Sequence, residues 1–207
     1  MGQRRTILLD VDQVVCFSGF LPAVNAFLGT NYEIDDFTDY YVDEAAIPRE
    51  RFDEFIKFLN KRNIYDDASM LPGAVETIEK LNEEYSIFIC SSCLNPFDLE
   101  GSGRLFKDKY DFLREHLPFI DPENYIFTNA KHIIKADIQI DDRLSNLDND
   151  IEIIILFPSY HNKDITDEEL SKMGVIRAGN DWRNGWEEIS KILLKKENNI
   201  KKYELKK

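Results

Sequence analysis

The 207-residue chain carries 39 acidic against 26 basic side chains, a net charge of −13, with 43% hydrophobic and 12% aromatic residues. That length holds one good-sized core with room for a smaller inserted unit, and the acidic balance disfavours duplex nucleic acid and anionic membranes as partners. No apolar run approaches the roughly 20 residues of a membrane span, and three cysteines are too few for a disulfide framework.

The first residues, Met1-Gly2-Gln3-Arg4-Arg5, have no signal-peptide pattern and lead straight into a strand, so a cytoplasmic protein is the default expectation. Gly2 followed by Thr6 fits a myristoylation signal only weakly. The strand is Ile7-Leu8-Leu9, which runs directly into Asp10-Val11-Asp12. An apolar run of this kind reads as a buried parallel strand whose carboxylates project from the sheet's carboxyl edge, where open α/β sheets bind ligands. The pair is either an acidic turn or two carboxylates gathered around a cation or a shared proton.

A block of different character follows, residues 17–70, with no clear strand. Leu21 to Leu28 predicts a short helix, with Pro22 in its first turn and Gly29 stopping it. After Pro48, the spacing of Phe52, Phe55, Ile56 and Leu59 predicts a second, amphipathic helix. Between them lies an aromatic and acidic linker containing Phe37, Tyr40 and Tyr41. The whole block reads as a helical insertion over the end of the first strand.

From Leu71 helix and strand alternate. Pro72-Gly73 opens a helix with the stripe Val75, Ile78 and Leu81, and Ser86 to Cys90 predicts a strand ending in Ser91-Ser92. Asn95 to Arg104 reads as a surface loop, and Asp108 to Leu117 as a helix with Tyr110, Leu113 and Leu117 toward the core. Further strands are expected at Tyr125–Phe127, Asp137–Ile140 and Ile151–Leu156. Thr166 to Glu169 is a capping box, Trp182, Trp186 and Ile189 form a last amphipathic face, and residues 195–207 read as frayed or disordered. The expected class is therefore α/β, a Rossmann-like parallel sheet with helices on both faces. Residues 1–16 and 71–207 would form the core, and residues 17–70 a cap.

The strand ends carry Asp10 with Asp12, Ser91 with Ser92, the region before Lys131, and Asp141 with Asp142. Along one sheet edge these converge. Clustered carboxylates suit a hard cation such as Mg²⁺, and a lysine and hydroxyl beside it suit phosphoryl oxygens. One aspartate can then attack phosphorus while a second moves protons.

The set Asp10-Val11-Asp12, Ser91, Lys131 and Asp141-Asp142 resembles the four motifs of the haloacid dehalogenase superfamily of phosphatases. Within it, the chain is similar to the 5′(3′)-deoxyribonucleotidases, through Leu71 to Glu76, Phe88 to Ser92, Asn129-Ala130-Lys131 and Ala136 to Arg143. Weaker echoes stand at His161-Asn162 and Asp181-Trp182. The resemblance implies a Rossmann-like core with an inserted helical cap and a Mg²⁺-dependent phosphomonoesterase acting on small nucleotide substrates. It implies Asp10 as nucleophile and Asp12 as general acid and then base. Asp10, the main-chain carbonyl of Asp12, Asp141 and Asp142 would serve the metal, and Ser91, Ser92 and Lys131 the phosphate and nucleotide. Phe17, Phe37, Tyr40 and Tyr41 are candidates to stack on a base. The chain departs from the family at Gln13, where glycine is usual and the turn is expected to differ, at Ser91 for threonine and at Cys93 for proline.

Three rival readings compete. Cys90-Ser91-Ser92-Cys93 is a C-x-x-C that in another setting marks a thiol redox site. A zinc site would use Cys16, Cys90 and Cys93 with one of His116, His132 or His161, but the three histidines lack ligand spacing and are expected on surfaces or in loops. A phospho-acceptor receiver shares the carboxylates and lysine but needs no lid. Within the superfamily, another small phosphorylated metabolite is the alternative substrate. Both a monomer and a homodimer are compatible with the sequence.

Overall fold

A computed structural model describes residues 4–95, 98–147 and 150–194; the expected tail at 195–207 lies outside them. In chain order the elements are β1 (Thr6–Leu9), β2 (Cys16–Phe17), α1 (Phe20–Leu28), α2 (Val42–Ala46), α3 (Phe52–Leu59) and β3 (Ser69–Met70). Then come α4 (Ala74–Glu84), β4 (Ser86–Ser91), α5 (Ser102–His116), β5 (Tyr125–Phe127), β6 (Ile138–Asp141) and β7 (Ile153–Leu156). The described chain closes with α6 (Asp167–Lys172), β8 (Val175–Arg177) and α7 (Gly185–Leu193).

Six strands form one sheet in the order β5-β4-β1-β6-β7-β8, and every pairing is parallel. Such a sheet needs a helical layer on each face, which is why β1, β4, β6 and β7 read as nearly unbroken apolar runs. The chain winds outward from β1 in one direction through β4 and β5, then returns to its other side with β6. The β1–β6 boundary is thus the topological switch point, where such sheets open a crevice at their carboxyl edge. The architecture is the Rossmann-like α/β class expected from the sequence.

Several boundaries differ from the sequence reading, each for a local reason. The insertion is not strand-free: β2 and β3 pair antiparallel at its root, Cys16 opposite Met70 and Phe17 opposite Ser69. Two residues are too few to display alternation. The stretch Asn95 to Arg104 is not wholly a loop, because α5 begins at Ser102, whose buried hydroxyl accepts from the Asn95 N–H at 2.9 Å. The face of α5 is also turned: Lys109, Phe112 and Leu113 are buried while Tyr110 is 40% exposed. Strand β8 starts directly after the left-handed Gly174 and, at three residues, is too short to read from the sequence.

The buried apolar side chains of the insertion, among them Val24, Phe55, Ile56 and Leu59, join those of the sheet in one continuous core. Polar contacts tie the same segments: Asp35 pairs with Lys163 at 2.8 Å and Arg183 at 2.6 Å, and Tyr160 donates to the Tyr40 carbonyl at 2.8 Å. The Arg183 and Lys163 cations hold the Asp35 carboxyl down at about 2.

Helix α7 underpins the site from behind. The fully buried Trp186 donates from Nε1 to the Val14 carbonyl at 2.7 Å, anchoring the turn that follows Asp12. Its neighbour Gly185 lies against the buried Phe157 ring, where an added Cβ would stand 2.6 Å from Cζ. Gly185→Ala is therefore expected to lower stability by about 1–3 kcal/mol through overpacking. A shift of the urea midpoint would measure it.

Candidate active site

Strands β4, β1 and β6 are neighbours, so the ends bearing Ser91, Asp10 and Asp141 stand side by side about 4.8 Å per strand apart. Asp10 is buried, its N–H donating to the Ile140 carbonyl at 3.1 Å, which fixes its register against β6. Lys131, in the turn after β5, reaches between two carboxylates, 2.9 Å from Asp10 Oδ2 and 2.7 Å from Asp141 Oδ2. The other oxygen of Asp141 accepts from the Arg143 N–H at 2.9 Å and the Asn146 amide at 3.0 Å. Asp142 Oδ2 lies 2.6 Å from His161 Nε2, and its main-chain carbonyl accepts from Asn162 at 2.8 Å.

Asp10, Asp141 and Asp142 form a group whose potential ligand atoms all lie within 4.8 Å of one another. Two of their buried oxygens, Asp10 Oδ1 and Asp142 Oδ1, have no hydrogen-bond partner. Three buried carboxylates face one ammonium here, and orphaned anionic oxygens in such a place are costly unless a cation meets them. Burial and the Asp10 charge together push the Asp141 carboxyl up, against the pull of Lys131. Burial likewise raises Asp142, with His161 opposing. Lys131 is drawn the other way: burial would lower it, but Asp10 and Asp141 outweigh burial and hold the ammonium charged. The donor set, all hard oxygen with an excess of negative charge, fits Mg²⁺.

The carboxylate of Asp12 does not join this group. Its Oδ2 accepts from Lys109 Nζ at 2.6 Å and its Oδ1 from the Tyr65 hydroxyl at 3.0 Å. Any contribution of Asp12 to a metal is thus left to its main-chain carbonyl. Lys109 is 2% exposed and also donates to Ser91 Oγ at 2.8 Å and to the Ser92 carbonyl. Burial alone would pull the Lys109 pKa down, yet the negative charges of Asp12 and Asp10 outweigh it and hold the pKa above the usual lysine value, with the amine charged. Two lysines therefore stand in the site, Lys131 beside Asp10 and Lys109 beside Asp12. The Ser92 hydroxyl bonds to Asn129 Oδ1 rather than pointing free.

Above these groups opens a cleft of about 730 Å³, lined by Asp10, Asp12, Ser91, Ser92 and Lys131 at its base. Phe17, Tyr40 and Tyr41 are among its walls, with the Arg143 guanidinium 4.5 Å from the Tyr40 ring centroid and 5.8 Å from that of Tyr41. Phe37 is not part of it: buried with Val42 and Tyr160, it belongs to a small apolar cluster, which corrects the expectation that it faces a base. The buried Asp43 carboxylate also lines the cleft, raised by desolvation.

Gln13 holds the left-handed conformation, φ 63°, and is the only non-glycine residue with positive φ among those described. Its amide oxygen accepts from Ser159 Oγ at 3.1 Å. The turn that glycine would make is thus still made, by a side chain tied to the loop after β7. The thiol rivals fare poorly: burial pushes both Cys90 and Cys93 up to about 11, leaving thiols where redox exchange needs thiolate.

Lys109 and Tyr65 are not singled out by the sequence, nor is the place of His161 against Asp142. Lys109 occupies a place in the apolar stripe Leu105, Phe112, Leu113 of α5, and a charge in such a stripe was the available signal. His161, expected on a surface or in a loop, is in a turn but packed on Asp142 with its side chain only 8% exposed. It follows the end of β7, a strand whose last residue, Leu156, carries no polar group to mark the edge. Tyr65 gave no local signal.

Residues 4–192 match the family described as 5′ nucleotidase, deoxy (pyrimidine), cytosolic type C. A Staphylococcus aureus (strain Mu50) protein provisionally named 5′(3′)-deoxyribonucleotidase is 27% identical over 193 residues, 92% of this chain and 96% of that one. The 5′(3′)-deoxyribonucleotidase of Bacillus subtilis (strain 168) is 24% identical over 193 residues, covering 92% and 99%. Among solved structures, a Bacteroides fragilis protein provisionally named haloacid dehalogenase-like hydrolase shares the fold, with TM-score 0.50, 14% identity and coverage of 84% and 96%.

Proposed function

Since the chain belongs to the cytosolic type C 5′-nucleotidase family, phosphoric monoester hydrolases on a haloacid dehalogenase-type core, we propose that it hydrolyses nucleoside monophosphates, deoxyribonucleotides foremost, through a phosphoryl group carried on Asp10. The observation that carries this reading is the chain Asp10–Lys131–Asp141 at the switch point, with two orphaned carboxylate oxygens under a cleft of nucleotide size.

Asp10 attacks phosphorus, aided by Lys131, which offsets repulsion between the carboxylate and the phosphoryl oxygens. Asp10, Asp141 and Asp142, with the Asp12 carbonyl, would hold Mg²⁺. Bound there, the ion supplies Lewis-acid neutralisation of phosphoryl charge. Ser91, Ser92 and Lys131 hold the transferring group. Asp12 protonates the departing ribose oxygen and then takes a proton from water. Residues 17–70 act as the cap that keeps bulk water from the site. Phe17, Tyr40 and Tyr41 offer faces to the base. A nucleotide is favoured over a smaller phosphometabolite because the cleft extends well beyond the phosphate-sized base into this aromatic wall.

Phosphate release should be measured over deoxyribonucleoside and ribonucleoside monophosphates and sugar phosphates, with Mg²⁺ and with EDTA. Deoxyribonucleotides are expected to be turned over fastest, with loss of activity in EDTA and recovery on adding Mg²⁺. A panel in which sugar phosphates outpace every nucleotide would refute the substrate assignment.

A further inference from the structure

The Asp12 carboxylate is gripped on both oxygens, and the two grips have different chemistry. Lys109 comes from α5 in the core; Tyr65 comes from the end of the inserted segment, four residues before β3. We propose that Tyr65 is a positioning residue of the phosphatase reaction, its hydroxyl orienting Asp12 through the 3.0 Å bond to Oδ1 and thereby linking proton transfer to the inserted segment. This rests on the assignment of Asp12 as acid and base.

Three observations support a built contact rather than a chance one. Tyr65 is 7% exposed, and a buried hydroxyl is a liability unless bonded, whereas phenylalanine would fill the same space without it. The backbone beside it is pinned: Gly19 N–H donates to the Ile64 carbonyl at 2.6 Å, an approach so close that a Cβ on Gly19 would lie 2.5 Å from that oxygen. The ring is braced against Phe112, centroids 5.1 Å apart, and Lys109 Nζ stands 5.8 Å from its centre. Phe112 and Lys109 share α5, so one helix fixes both groups that hold Asp12.

An ammonium only donates, so Lys109 fits Oδ2 as a carboxylate oxygen and nothing else. A phenol both donates and accepts, so Tyr65 can serve Oδ1 with or without a proton. In the transfer step the Asp10–phosphorus bond forms and the bond from phosphorus to the ester oxygen breaks. The proton of Asp12 passes to that departing oxygen, and the Tyr65 hydroxyl hydrogen turns toward the newly charged Oδ1. In the hydrolysis step water bonds to phosphorus, gives its proton to Asp12, and the phosphorus–Asp10 bond breaks.

The test is Tyr65→Phe in the full chain with Mg²⁺, compared on a deoxyribonucleoside monophosphate and on p-nitrophenyl phosphate, whose phenolate leaves without a proton. For the nucleotide, KM is expected to stay within about two-fold while kcat falls about 10–100-fold. For p-nitrophenyl phosphate, single-turnover release should be unchanged while steady-state turnover falls, giving a burst, because water still needs its base. Should nucleotides fail as substrates, the same comparison on any alkyl phosphate the parent hydrolyses tests Tyr65 separately from the substrate assignment. A parent inactive on every alkyl phosphate would overturn both. Nucleotide kcat within two-fold of the parent overturns the proposal. So does an equal loss in single-turnover release on both substrates with raised KM, which a purely structural role would produce.

Discussion

Asp10→Asn is expected to abolish turnover, by roughly 10⁴-fold or more, while leaving the fold standing. The amide lacks the charge and lone-pair basicity of a nucleophilic carboxylate, and loss of a covalent nucleophile typically removes almost all of an enzyme's chemical acceleration. Stability should survive for a specific reason. Lys131 loses one of two anionic partners but keeps Asp141 at 2.7 Å, so its buried ammonium is never left alone. The substitution also removes a carboxylate whose Oδ1 has no partner, which relieves an existing cost. Phosphate release and the urea midpoint, measured on the same preparation, check the two halves. Full activity, or collapse of the fold, would contradict the account.

The second largest effect is expected at Asp12→Asn, a fall in kcat of about 10²–10⁴-fold, the range of general acid–base catalysis. Asparagine retains a carbonyl oxygen for Lys109 and an amide in place of the other oxygen, so the side chain remains held. It cannot carry a proton to a departing alkoxide or take one from water. The loss should therefore fall on kcat for nucleotides, with KM little changed. It should be far smaller in single-turnover release from p-nitrophenyl phosphate. Lys109→Met in the same background separates the charge question: breaking a buried pair from one side costs roughly 3–5 kcal/mol, and removing both sides avoids that cost. The double variant should be at least as stable as Asp12→Asn and equally inactive.

Much of this site was legible because parallel sheets concentrate it. Ile7-Leu8-Leu9, the Ile87, Ile89 and Cys90 of β4 and the Ile138 and Ile140 that flank the buried Gln139 are all buried, so these strands are legible from their apolar residues, and whatever polar residue ends each one lies at the carboxyl edge. Asp10, Ser91 and Asp141 were found that way. Lys131 is legible only as a residue just beyond a strand end, because a lysine in a turn has no periodicity of its own, and the family resemblance adds its expected role. Lys109, Tyr65 and the contact of His161 with Asp142 are hidden from the sequence for a shared reason. Each reaches the site across tertiary contacts, from a helix, from the end of the insertion and from the loop after β7, with no pattern along the chain that points at Asp12 or Asp142. Phe37 misled in the opposite sense. It sits in the same aromatic linker as Tyr40 and Tyr41, yet packs inward with Val42 while they line the cleft. In an irregular segment, neighbours in sequence need not share a face. Gln13 shows a third case: the backbone demanded φ 63°, which glycine adopts freely, and a glutamine supplies it with a bond to Ser159 alongside.

The central claim is that Asp10 itself carries the phosphoryl group, and rapid quenching tests it most directly. The enzyme would be mixed with a deoxyribonucleoside monophosphate and Mg²⁺, stopped in acid, and digested for mass spectrometry. The account predicts a phosphorylated peptide containing Asp10 that forms within one turnover, builds up further in Asp12→Asn, and is absent in Asp10→Asn. Phosphate release at the full rate with no phosphoryl group on that peptide at any time would contradict it.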